Sequence, residues 1–120
     1  MILVIGAQKS GKGRYAKKLG FHKRDIIYNA HALVHKDPEN AMDLVDELLK
    51  KEVVTINEVG SGVIPDDPIL RAKREATGRV GAALAERATK VVRMVAGIPM
   101  VLKDETPQVQ ETPQIEQPQE

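Results

Sequence analysis

The chain has 120 residues, of which 42% are hydrophobic and none is cysteine, with 18 Lys and Arg against 17 Asp and Glu. That length holds one domain around one hydrophobic core, and the absence of cysteine excludes disulfides, thiolate metal sites and cysteine nucleophiles. The apolar run Met1–Ile5 is too short for a signal-peptide core or a membrane span, so a cytoplasmic protein without a membrane partner is expected.

Met1–Ile5 (MILVI) is fully apolar and ends in a glycine-rich turn, which predicts a buried central strand. Lys12 to about Gly20 predicts a short helix, and Ile26–Asn29 a second strand. Asp37-Pro38-Glu39 reads as a helix start, with Asp37 as N-cap and Pro38 in the first helical position. Met42, Val45, Leu48 and Leu49 then share one face of a helix running to about Lys51. Glu52–Asn57 (EVVTIN) is a strand that opens into a glycine-containing loop, Glu58–Pro65.

Asp67-Pro68 begins the longest helix, about 68–89, with an apolar stripe of Ile69, Ala72, Ala76, Val80, Ala83, Leu84 and Ala88. Gly78 and Gly81 each weaken it by about 1 kcal/mol relative to Ala. They mark either close approach of another group or tolerant positions. Lys90–Ala96 (KVVRMVA) is a further strand, and Met100–Leu102 a short last one after Pro99.

Strands alternating with helices imply an α/β fold, with a mostly parallel sheet of four to five strands and helices on both faces. Residues 104–120 differ in kind. They repeat ETPQVQ as ETPQIE and carry prolines at 107, 113 and 118, with too little apolar surface to offset ordering entropy. The expected division is therefore a domain over 1–103 and a disordered acidic tail over 104–120, either inert or partner-binding. The tail holds five acids and no Lys or Arg, so residues 1–103 carry 18 basic against 12 acidic side chains. That balance favours an anionic ligand. Two Tyr and one Phe offer little for base stacking, so nucleic acid is not an expected partner.

Parallel sheets of this kind bind ligands at the carboxyl ends of their strands. Both glycine-rich loops, Gly6–Gly11 and Gly60–Gly62, fall at such ends. Gly6-Ala7-Gln8-Lys9-Ser10-Gly11-Lys12 fits G-x-x-x-x-G-K between a strand and a helix, the layout of a P-loop NTPase-like fold. Glycines let the backbone fold around an anion with its N–H groups inward, the helix start adds its positive dipole end, and the lysine reaches the β- and γ-phosphates. Gly6, Ala7, Gln8, Lys9, Ser10, Gly11, Lys12 and Gly13 are thus the candidate nucleotide-binding residues, for GTP or ATP. Gly13 stands where the full motif has a Ser or Thr hydroxyl for Mg²⁺.

Val54-Thr55-Ile56-Asn57-Glu58-Val59-Gly60-Ser61-Gly62-Val63-Ile64-Pro65, followed by Arg71, Arg74, Glu75, Gly78 and Arg79, is the most distinctive segment. It resembles the adenosylcobinamide kinase / adenosylcobinamide-phosphate guanylyltransferase family of cobalamin biosynthesis. The phosphate loop with Arg14 and Ala16 is similar to that family's opening, and Val91–Ala96 with Gly97-Ile98-Pro99 and Lys103 to its close. The resemblance implies a nucleoside triphosphate as partner, whose γ-phosphoryl group passes to the aminopropanol hydroxyl of adenosylcobinamide. It also implies a second activity through a guanylylated histidine, and it allows a homo-oligomer. Lys12 would hold phosphates, and Glu58 would orient Mg²⁺ or water, making these the catalytic candidates and Glu58 the metal candidate. The bland reading of Glu58 is a loop carboxylate that caps local N–H groups.

Three departures stand beside the resemblance. The chain is shorter than the family between its first helix and the later strand, and His22, His31 and His35 fall in no matching motif, each reading as a surface or helix-flanking residue. Tyr28 and Asn29 stand where a second acidic metal ligand is expected, and Gly13 lacks the hydroxyl. Two readings remain: a kinase in which the guanylyltransferase step is lost, or a catalytically inactive nucleotide- or corrinoid-binding module acting as a partner or regulator.

Overall fold

Three apolar runs, Ile2–Gly6 (β1), Val53–Asn57 (β3) and Lys90–Val95 (β4), are covered on both faces because they pair at the centre of a five-stranded sheet. The computed structural model describes residues 1–59 and 65–105. The Gly60–Gly62 loop and the tail from residue 106 lie outside the described residues.

The sheet order is β2-β3-β1-β4-β5, with β2 at Ile26–Ile27 and β5 at Ile98–Asp104. The first four strands are parallel, and β5 returns antiparallel to β4. In register, Gly6 lies between Asn57 of β3 and Met94 of β4, so three strands end side by side.

Right-handed crossovers decide where the helices go. The chain leaves β1 toward β2 in one direction through α1 (Lys12–Lys18). It returns in the other through α2 (Ala30–Lys36), α3 (Val45–Leu49) and α4 (Pro68–Arg87). Helices on outward and return paths must lie on opposite faces. One core layer accordingly joins Val4, Val53, Val92 and Met94 to Ala16 of α1. The other joins Leu3, Val54, Ile56 and Val91 to Val34, Val45, Leu48, Ala76, Val80 and Leu84. The alternation Leu3/Val4 and Val91/Val92 between layers is the pleat of each strand.

Several elements differ from the sequence expectation. The helix expected from Asp37 is a 3₁₀ segment, Pro38–Leu44, followed by α3. Asn40 leaves helical geometry there, and the Asp37 carboxylate accepts the Asn40 side-chain amide at 3.0 Å instead of capping a backbone N–H. The tighter winding turns Met42 outward and puts Ala41 in the core. The short helix α2 was not expected at all. It starts at Asn29, whose φ of 59° ends β2 after two residues.

Asp67 does cap α4, accepting the Ile69 amide at 2.8 Å. The buried stripe of that helix is Ala76, Val80, Leu84 and Ala88, while Ile69 and Ala72 in its first turns are exposed. Gly78 faces Val59 at ordinary contact distance and Gly81 faces open space, so neither glycine is demanded by close approach.

The β4–β5 hairpin turns through Ala96 and Gly97, both with positive φ (51° and 80°), as a two-residue turn with right-handed strand twist requires. β5 is longer than expected and enters the segment assigned to the tail. It ends at Asp104, and the Glu105 amide still donates to the Thr89 carbonyl at 2.7 Å. Among the described residues no helix is long and apolar enough to cross a membrane.

Leu84 is fully buried between α4 and the sheet. Leu84→Ala is expected to lower unfolding stability by about 2–5 kcal/mol, a large part of what a small domain has. Urea denaturation followed by circular dichroism measures it, and a loss below about 1 kcal/mol would show that this layer is loosely packed.

Candidate functional site

At the end of β1 the backbone turns over a gap in which no side chain fits. A Cβ on Gly6 would overlap the Ser10 hydroxyl and come within 2.8 Å of the Met94 carbonyl oxygen. The Gly6 carbonyl accepts the Glu58 amide at 2.9 Å, which ties this loop to the end of β3. Inside the loop the Ser10 amide donates to the Ala7 carbonyl at 3.1 Å, and Lys9 takes a left-handed φ of 64°. A non-glycine residue held there stores about 1 kcal/mol or more of strain, a feature concentrated at ligand sites.

The loop is also tied to β4. The Gly97 amide donates to the Ser10 carbonyl at 2.9 Å. Gly11, with φ of 101°, has the Gly97 Cα 3.3 Å from where its Cβ would stand. Two glycines, one in the loop and one in the β4–β5 turn, therefore allow a backbone-to-backbone contact that side chains would block.

Lys12 begins α1 and is buried, and its ammonium donates to the Ala7 carbonyl at 2.7 Å, at the loop's own centre. Burial lowers its pKa from the ordinary lysine value, opposed by the nearby Glu58 charge. Beside it opens a cavity of about 720 Å³ lined by Lys9, Lys12, Arg14 and Lys18, with Gly97 and Pro99 of the hairpin on the far wall. The expected loop residues do come together. Gly6, Ser10 and Lys12 form its buried side, and Ala7, Gln8 and Lys9 its exposed side. Gly13 lies at the cavity with no side chain, 3.9 Å from the Tyr28 ring measured from an added Cβ.

Glu58 follows β3 on the other side of the loop. It caps no N–H group among the described residues. Both its oxygens accept from Arg93 of β4, Nε to Oε1 at 2.8 Å and Nη2 to Oε2 at 2.8 Å. That hydrogen-bonded pairing raises the already high pKa of Arg93. Sequence reasoning missed Arg93, although a lone arginine inside KVVRMVA was the available signal.

It also missed the histidines as a pair. His31 and His35 are four apart on α2, so they share one helix face, with ring centroids 5.9 Å apart. His31 Nδ1 accepts the Asn57 amide at 3.0 Å, which fixes its neutral tautomer with the proton on Nε2. Both line a second cavity of about 360 Å³, with Glu58, Leu70 and Lys73. The pKa of each is lowered, by burial first, then by the His35 and Lys12 charges at His31 and by Lys73 at His35. His22, in contrast, is exposed beyond α1.

These residues do not fit a protein-held Mg²⁺. Gly13 supplies no hydroxyl, and Ser10 Oγ is buried against Gly6 with no hydrogen-bond partner among the described residues. Glu58 is committed to Arg93, and no cluster of three or more His, Cys, Asp or Glu among the described residues could hold a metal ion.

The sequence model of the cobinamide kinase / cobinamide phosphate guanyltransferase family matches residues 31–102, which include both histidines, Glu58, Arg93 and Gly97. The chain belongs to this family. The Gly6–Lys12 loop lies upstream of the matched residues. A relative, the bifunctional adenosylcobalamin biosynthesis protein CobP of Pseudomonas aeruginosa, is 36% identical over 67 residues. That match takes in 56% of this chain and 39% of CobP, so the chain spans well under half of this relative.

Two outcomes follow from the geometry. Gly6→Ala is expected to cost about 1–3 kcal/mol through overpacking against Ser10 and Met94, read as a lowered midpoint in thermal unfolding. An unchanged midpoint would mean the loop relaxes freely.

The histidines give a pH dependence. Their lowered folded pKa values make the neutral forms stabilising, so this contribution is full above pH about 6.5 and fades as pH falls through the folded values. Wild type is therefore expected to lose stability between pH 7 and 5, and His31→Gln to lose less of it. An identical pH profile for the two proteins would remove His31 from this account.

Proposed function

We propose that this chain binds a nucleoside triphosphate, GTP or ATP, as a nucleotide-binding protein of cobalamin biosynthesis. The observation that carries this reading is the Gly6–Lys12 loop, with Lys9, Lys12, Arg14 and Lys18 around one cavity. Three phosphates bear several negative charges, and four cations at one mouth offset them. Lys12 needs only to exchange the Ala7 carbonyl for a phosphate oxygen. The loop amides, held in left-handed turns at Lys9 and Gly11, add uncharged donors that need no reorganisation.

As an enzyme, the chain would be a kinase acting on the aminopropanol hydroxyl of adenosylcobinamide. Phosphoryl transfer is mostly positioning and charge neutralisation, which the cationic rim supports. In that role Lys12 holds the β- and γ-phosphates, and Glu58 takes the acceptor hydroxyl's proton only after parting from Arg93. The family's guanylyl transfer needs a histidine nucleophile, for which neutral His31 and His35 beside Glu58 are the available groups.

The second reading is a module that holds nucleotide or a corrinoid without turnover. The bare Gly13 and the committed Glu58 favour it, because both weaken catalysis while leaving the phosphate cradle intact.

Calorimetric titration of GTP and ATP into wild type and Lys12→Ala tests the shared part of both readings. Wild type is expected to bind in the micromolar range, about −8 kcal/mol, and the variant at least about tenfold more weakly. Absence of binding by folded wild type at millimolar nucleotide would sink the proposal. A phosphoryl-transfer assay with adenosylcobinamide then separates kinase from binding module.

A further inference from the structure

On β4, Val91, Val92 and Met94 are buried and apolar, whereas Arg93 between them is a cation whose side chain is 43% exposed. Arg93 pairs in register with Ile5, one residue before Gly6, so its guanidinium lies at the root of the phosphate loop. Its fork closes on Glu58 with two parallel 2.8 Å bonds, and a cavity of about 270 Å³ lined by Ala7, Ser10, Glu58 and Arg93 opens there. Guanidinium matches carboxylate bidentately and does not deprotonate in proteins, so Arg93 offers Glu58 a charged fork throughout the working pH range.

A carboxylate with both oxygens occupied by a fixed cation is a poor ligand for a divalent ion. The other two candidate donors are equally withdrawn: residue 13 has no side chain, and the Ser10 hydroxyl is packed against Gly6. Lys9, Lys12, Arg14 and Lys18 line the cavity beside the loop, where Lys12 would exchange the Ala7 carbonyl for phosphate.

We propose that Arg93 locks Glu58 out of metal coordination, so that the nucleoside triphosphate is bound as the metal-free polyanion, neutralised by side chains alone. The inference rests on nucleotide binding at the Gly6–Lys12 loop and goes beyond it in assigning Arg93 a positioning role. It makes the metal requirement of the site a property of one arginine. Removing the guanidinium would leave the Glu58 carboxylate available as a ligand for Mg²⁺.

The experiment is calorimetric titration of GTP into wild type, Arg93→Leu and Arg93→Leu/Glu58→Gln, each in EDTA and in excess Mg²⁺. Wild type is expected to bind GTP more weakly in excess Mg²⁺ than in EDTA, because Mg²⁺ in solution withdraws the free polyanion that the site takes. Arg93→Leu is expected to bind at least about fivefold more tightly with Mg²⁺, and the double variant to lose that difference. Wild-type binding as tight or tighter in Mg²⁺ than in EDTA, or a smaller gain from Mg²⁺ in Arg93→Leu, overturns the lock. Should Arg93→Leu not fold, Arg93→Gln removes the charge while keeping a polar side chain of similar reach, and the same criteria apply to it. Folded wild type that binds GTP in neither buffer overturns the nucleotide reading itself, an outcome distinct from binding that depends on Mg²⁺.

Discussion

At the carboxyl end of β1 the Gly6 carbonyl accepts the Glu58 amide, while the space its Cβ would take holds the Ser10 hydroxyl and the Met94 carbonyl. Three strand ends and the loop thus meet around a residue with no side chain. Any larger residue at position 6 would push Ser10 outward. Ser10 carries the carbonyl that receives the Gly97 amide, so the displacement would reach the hairpin as well. The loop shape therefore comes from the sheet, and the sheet from the two core layers above and below it. A phosphate cradle needs that rigidity, because amides that must reorganise on binding contribute less than amides already aimed.

Charge at this end of the sheet is arranged in two groups separated by the loop. On the α1 side four cations face one cavity with no carboxylate among its lining residues. On the other side Glu58 is neutralised by Arg93, and the nearby histidines are held toward their neutral forms. Lys12 stands between the groups, buried yet satisfied by the Ala7 carbonyl. A buried ammonium with a single neutral acceptor is poorly compensated. An incoming anion improves its surroundings, which is the physical reason to expect phosphate there.

Much of this was legible in the sequence because it rests on local rules. MILVI before a glycine-rich turn, EVVTIN and KVVRMVA gave the three central strands, and Asp67-Pro68 gave the start of α4. What escaped depended on tertiary partners. α2 is seven residues long and holds two histidines, and it exists because Ala30 and Val34 pack on the sheet, not through any helix signal of its own. Met42 was placed on the core face by assuming 3.6 residues per turn through a segment that winds as 3₁₀. The Glu58–Arg93 pair joins residues 35 positions apart, one just past β3 and one on β4, with β1 between those strands. No spacing rule relates such positions; only the sheet order does.

The same sheet order bears on how the family relation reaches the loop. The matched residues begin at His31, beyond β1 and α1. Yet among the described residues the long-range backbone contacts that shape the loop come from within the match: the Glu58 amide on Gly6, the Met94 carbonyl against Gly6, and the Gly97 amide on Ser10. Because β1 lies between β3 and β4, the two family strands clamp it from both sides. The loop conformation is thus imposed by that part of the chain whose kinship is established, while the charge chemistry comes from Lys9, Lys12, Arg14 and Lys18 upstream. Inside the match, residue 93 bears on whether the site uses a metal. A single arginine on β4 thus holds the carboxylate whose own backbone amide supports Gly6 at the root of the loop.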